Sequence, residues 1–163
     1  MPRQWVVNAS PLIILGKIGR LSFLTRLAES LVVPAGVAYE LAAGPENDPA
    51  RQWIAGPGKD HVRDVGNVDP IVAGWDLGRG ESHVLTWARR HPGSEVLLDD
   101  FAARKCAAAL SIPVRGTLGV LLLAKKDGHL AELAPVIEQV RLAGLHISPD
   151  VLAALHHLAG EDR

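Results

Sequence analysis

Short aliphatic runs alternate with helical stretches along the whole chain, and this alternation constrains the fold more than any other property of the sequence. Trp5 to Val7, Leu31 to Val33 and Glu95 to Leu98 read as strands, with His61 to Val65 as a weaker third strand and Ile112 to Gly116 as a short fifth. Helical patterns separate them. PLIILGKIGRLSFLTRLAE reads as two short helices broken around Gly19, with Ser10 as a side-chain cap and Pro11 at the first helical position. AGVAYELAAG follows Pro34 as a helix ending near Gly44 and Pro45. A longer helix begins near Gly80, FAARKCAAAL makes another, and TLGVLLLAKKDG a third, capped by Thr117. Residues 45–60 hold three prolines and two glycines and read as a loop with at most a short helix, the most mobile part of the chain. Strands separated by helices imply parallel pairing through right-handed crossovers. The expected fold is α/β: a three-layer α/β/α sandwich with a mostly parallel sheet of four to five short strands. The expected organisation is one domain over residues 1–163, closing with a helical pair at about 131–160 whose second helix starts at Ser148 and Pro149.

Composition narrows the function. The formal net charge is −1, so the chain does not coat nucleic acid by global basicity, and any such contact comes from a local patch or through a metal. One cysteine excludes an internal disulfide and a cysteine-rich zinc site, and Cys106 reads as a small buried hydrophobe. No secretory leader is visible after Met1, and no apolar run is long enough to span a bilayer, so a cytoplasmic, non-membrane protein is expected. LGRGES lacks the spacing of a serine nucleophile elbow, neither GKIG nor LGRG is a phosphate-binding loop, and the histidines lack zinc-protease spacing. His156 and His157 read as a surface pair.

The residues left to carry chemistry are lone carboxylates placed just after, or within, short apolar runs: Glu40, Glu81, Asp99 and Asp100, with Asn8 in a comparable position. In an α/β sheet such residues meet at the carboxyl ends of the strands. Carboxylates gathered there repel one another unless a divalent cation sits between them, and an oxygen-only set suits Mg²⁺ or Mn²⁺. Each also has a plain structural reading. Glu40 could be a solvated helix-face glutamate, and Glu81 could serve the positive end of a helix dipole. Of the adjacent pair Asp99 and Asp100, N-capping accounts for one and leaves the other as a ligand candidate. Asn8 either caps the next helix or offers one neutral oxygen to a metal. Ser10 either caps that helix or holds a metal-bound water. Arg104, Lys105 and Arg115 follow the acidic pair and could hold phosphates. Taken together these residues point to metal-assisted phosphodiester chemistry, with a small-molecule phosphohydrolase as a weaker alternative that lacks a nucleophilic aspartate motif.

Several strings are also recognisable together. VVNASPLIILGKIGRLSFL, VPAGVAYEL, LGRGESHVLTWA, VLLDDFAARKCAAALSIPVRGTLGVLLLAKKDGHL and LAGLHISPDVL resemble, in order, a branch of the PIN-domain superfamily. That branch comprises nucleic-acid-binding proteins related to VapC-type toxins, and the resemblance covers nearly the whole chain. It implies an α/β/α sandwich whose clustered acids bind Mg²⁺ or Mn²⁺ and cleave RNA. Carried over by position, the first acidic site falls on Asn8, the second on Glu40, the third on Glu81 and the fourth on Asp99 or Asp100, with Ser10 as the accompanying hydroxyl. Two departures stand out. An amide occupies the first position, where most relatives carry aspartate, and the lost charge weakens metal binding. Glu81 stands where many have aspartate, a milder change. The resemblance further implies a homodimer and a small antitoxin as partner. A catalytically weak PIN-like module that binds RNA or a protein is the alternative that Asn8 favours.

Overall fold

A computed structural model describes residues 2–161 of the chain. Strand β1 (Gln4–Val7) leads through helices α1 (Ala9–Lys17) and α2 (Ser22–Leu27) to β2 (Ser30–Pro34). Helices α3 (Ala35–Ala42) and α4 (Pro49–Ala55) and a 3-10 turn at Lys59–His61 precede β3 (Val62–Arg63). Next come α5 (Pro70–Ala73) and α6 (Arg79–Arg90), then β4 (Glu95–Leu97), α7 (Phe101–Ala109) and β5 (Val114–Arg115). Helices α8 (Thr117–Lys126), α9 (Ala134–Leu142) and α10 (Pro149–Leu158) complete the order.

All five strands are parallel, in the order β3-β2-β1-β4-β5, flanked by helices. The sheet is thus wholly rather than mostly parallel. Strands covered on both faces need apolar side chains in both directions. Val6, Val7, Val33, Val96 and Leu97 meet that need, all at 1% exposure or less. The chain builds outward from β1 to β2 and β3, then returns to lay β4 on the other side of β1. The sheet therefore reverses direction between β1 and β4, and at such a reversal the carboxyl ends open a crevice between diverging loops. Val7 and Leu97 are register partners there, and Asn8 N–H donates to Leu97 O at 3.1 Å. Asn8 and the Asp99–Asp100 pair thus leave the sheet side by side at the mouth of the crevice.

Two close helix contacts set the walls. Gly36 on α3 sits against His83 on α6, where a Cβ would lie 2.5 Å from Nδ1. Gly36 N–H donates to that Nδ1 at 3.1 Å, so the imidazole carries its proton on Nε2. Burial, then the nearby Arg79 charge, hold His83 below its ordinary pKa and keep Nδ1 an acceptor. At Gly16 on α1 a Cβ would lie 3.1 Å from Ala50 N, which lets α4 lie close against α1.

Several local expectations change. Helix α1 begins at Ala9 with Asn8 at the cap position, so Pro11 falls in the third helical position and Ser10 caps nothing. Helix α8 begins at Thr117 itself, with Gly116 at the cap position, so Thr117 is not a cap either. Within residues 45–60 the short helix allowed for is present, and it is well formed and partly buried. Asp48 accepts from Ala50 N–H, Pro49 opens α4, and Ala50 and Ile54 are buried. The apolar residues of α10 do not all face the core: Leu155 is buried, whereas Val151 and Leu158 are 44% and 56% exposed. His156 is half-buried with Nδ1 enclosed and unpartnered, whereas His157 is exposed. Cys106 is fully buried, and burial pushes its thiol pKa up. Among the described residues no helix is long and apolar enough to cross a membrane.

Candidate active site

The crevice has two halves. In the first, Glu40 on α3 reaches across to the start of α6, where Gly80 N–H donates to its Oε1 at 2.8 Å. Asn8 enters from the end of β1, 3% exposed, and its Oδ1 is enclosed without a hydrogen-bond partner. Both groups crowd the same point. A Cβ on Gly80 would lie 2.8 Å from Glu40 Oε2 and 2.9 Å from Asn8 Oδ1. A side chain on this residue would have to displace the ends of Glu40 and Asn8.

The second half is centred on Asp99. Its Oδ1 accepts from Thr117 N–H at 2.8 Å, and its Oδ2 accepts from Thr117 Oγ1 at 2.6 Å and from Ser10 Oγ at 3.3 Å. Thr117 is fully buried, so this carboxylate is held rigidly by charge-assisted bonds. The two residues that looked like helix caps are in fact its donors. Asp100 has the other role: its Oδ2 accepts from Ala103 N–H at 2.9 Å as the cap of α7. The adjacent acids therefore divide the work, one turned into the crevice and one closing a helix.

Glu81 lies in the first turn of α6, half-buried, with its carboxylate folded back over Gly78, where a Cβ would meet Oε2 at 2.6 Å. Among the described residues no three acidic, histidine or cysteine side chains come together as a metal cluster. The contacts of these residues fall into two sets. Asn8 and Glu40 meet at Gly80, and Asp99 sits with Ser10 and Thr117.

The donor set nevertheless fits a hard divalent cation. An enclosed amide oxygen with no donor, close to a carboxylate at the same point, leaves two acceptors facing one space. A buried unsatisfied acceptor is costly, about 1–3 kcal/mol, unless something with positive charge meets it. Asp99 adds oxygen capacity, because three donors use three of the roughly four lone-pair sites of a carboxylate. Asn8, Glu40 and Asp99 are the residues that could hold Mg²⁺ or Mn²⁺, with Glu81 at the rim.

Beyond Asp99 opens a cleft of about 510 Å³ lined by Asp99, Arg104, Val114, Arg115, Gly116 and Val151, among others. Arg115 Nε is tied to Glu95 Oε1 at 2.9 Å, an oxygen that also accepts from Trp5 Nε1 at 2.8 Å. Arg104 donates from Nη1 to Leu98 O at 3.3 Å. Both cations flank the crevice. Lys105 does not: its Nζ lies 5.5 Å from the Phe101 ring centroid, away from the cleft.

A family model described as a PIN domain (DUF3368) matches residues 4–161. The chain belongs to the PIN-domain family. PIN domains are typically metal-dependent nucleases. No curated protein and no solved structure gives a significant match.

Sequence reasoning missed Gly80 and misread Thr117. A glycine in the first turn of a helix was the available signal for Gly80, since glycine there weakens a helix unless close approach requires it. For Thr117 no local signal separates a cap from a donor to a distant carboxylate.

Proposed function

We propose that this PIN domain is a divalent-metal-dependent endoribonuclease, of the kind that acts as the toxin of a toxin–antitoxin pair. The enclosed, unpartnered Oδ1 of Asn8 beside the Glu40 carboxylate carries the reading. Asn8, Glu40 and Asp99 would hold Mg²⁺ or Mn²⁺, with Glu81 as a further ligand at the rim. When bound, the ion supplies Lewis-acid activation of water and neutralises charge on the phosphate. Ser10 and Thr117 fix the orientation of Asp99, and Gly80 keeps the space between the ligands clear. Arg104 and Arg115, which line the cleft beside Asp99, would bind phosphates of the strand and so orient the scissile bond. Asp100 acts through the fold, as the cap of α7. A homodimer and a small antitoxin are the partners proposed with this reading.

The test is cleavage of a panel of single-stranded RNAs in Mn²⁺ by the parent and by Glu40→Ala and Asp99→Ala. The expected result is cleavage by the parent and a loss of about 100-fold or more in each folded variant. Equal cleavage by parent and variants refutes this site. A second reading, a PIN module that binds RNA or protein without cutting it, is favoured by the amide at Asn8. It predicts RNA binding by the parent without cleavage, and cleavage gained in Asn8→Asp.

A further inference from the structure

The helices that wall the crevice touch at two neighbouring points. The inner contact is Glu40 with Gly80. The outer one joins the residues immediately before them, Tyr39 and Arg79, with the guanidinium carbon 4.6 Å from the ring centroid. Tyr39 is 63% exposed, and Arg79 is exposed as well. Among the described residues Arg79 forms no ion pair. The contact is not needed to join α3 to α6, because Gly36 and His83 already bring the two helices together in the interior. An aromatic ring left mostly in water, backed by a planar cation and one residue from the proposed reaction centre, is a stacking surface without a guest.

We propose that Tyr39, backed by Arg79, is a platform on which one unpaired base of a single-stranded RNA stacks beside the crevice. The proposal rests on the ribonuclease reading and deepens it by naming the state of the substrate. A base within a duplex has both faces covered, so such a platform selects a nucleotide that is free to unstack. Stacking tolerates any base, since each has a π face. Arg79 also places a positive charge beside the carboxylates, where the backbone of the strand must pass. Across the sheet, Tyr39 and Glu40 follow β2, Asn8 follows β1, Asp99 follows β4, and Arg115 ends β5. The strand thus runs from the Tyr39–Arg79 platform, over the acidic crevice, to the cleft bounded by Arg104 and Arg115.

The test uses short single-stranded RNAs carrying 2-aminopurine at each position in turn, mixed with the protein in EDTA and again in Mn²⁺. Fluorescence and cleavage are read in the same samples. The expected result is quenching confined to one position, abolished in Tyr39→Ala together with a roughly tenfold loss of affinity. Tyr39→Trp should keep both, and the same sequences as duplexes should show neither. Tyr39 is exposed, so its replacement should leave the thermal melt unchanged. Unaltered quenching and affinity in Tyr39→Ala, or equal affinity for duplex, overturns the platform while cleavage by the parent leaves the ribonuclease reading standing. RNA neither bound nor cut by the parent overturns that reading and the platform with it.

Discussion

The two halves of the crevice are built on opposite principles. Asp99 is well partnered: two donors from Thr117 and one from Ser10 hold the carboxylate. Around Asn8 and Glu40 the accounting is left open, with an enclosed amide oxygen that no donor meets. The first half is held by these bonds before any ligand is present. The second keeps one acceptor unpaired, and the proposed cation would meet it there. Their contrast teaches that one crevice can hold a well-partnered carboxylate beside an unsatisfied amide oxygen, and the proposed function would draw its binding energy from the second.

Closing the open half should have the largest effect. Asn8→Asp adds a charge where the lone oxygen now stands, so Mn²⁺ affinity by isothermal titration is expected to rise by on the order of 100-fold. The same change sets two carboxylates against each other without metal, so melting in EDTA should occur at a lower temperature than for the parent. A variant that binds Mn²⁺ no better would show that the open half is not the cation site.

Loosening the closed half comes next. Thr117→Val keeps the volume but removes the hydroxyl donor to Asp99. The expected cost is about 1.5 kcal/mol of stability by urea denaturation, with reduced cleavage that Thr117→Ser partly restores. Full cleavage by the valine variant would mean that Asp99 needs no such orientation.

A change far from both halves should leave the comparison untouched. Glu161 accepts from Lys125 Nζ and from the backbone N–H groups of Leu133 and Ala134. Burial alone would raise its pKa, but these bonds outweigh burial and lower it from 4.5 to about 2. A depressed carboxylate contributes stability that is complete above its unfolded pKa and drains away as pH falls from about 4.5 toward 2. In Glu161→Gln the melting temperature should therefore fall less steeply across that window than in the parent, while RNA cleavage at neutral pH is unchanged. An identical acid slope in both proteins would sink this account.

The sheet was legible because buried parallel strands must be aliphatic on both sides, and runs such as Trp5 to Val7 and Glu95 to Leu97 satisfy that rule locally. Asp99 and Asp100 were legible as a pair but not as individuals, because capping and ligation ask for the same side chain. Only the direction in which the chain leaves β4 separates them. Ser10 and Thr117 were read as caps because hydroxyl residues at helix starts usually are, and the competing partner, Asp99, lies 89 and 18 residues away in sequence. Glu161 was invisible for a related reason: its partners belong to α8 and α9 and come together only through tertiary packing.

Gly80 has a practical consequence. Its missing side chain is the space in which Asn8 and Glu40 meet, and a single methyl group there would fall 2.8 Å from a carboxylate oxygen. A survey of related sequences could therefore be sorted by one letter before any protein is made. Alanine there would push the ends of Glu40 and Asn8 aside, so glycine goes with the present spacing of the two oxygens and a larger residue with a wider one.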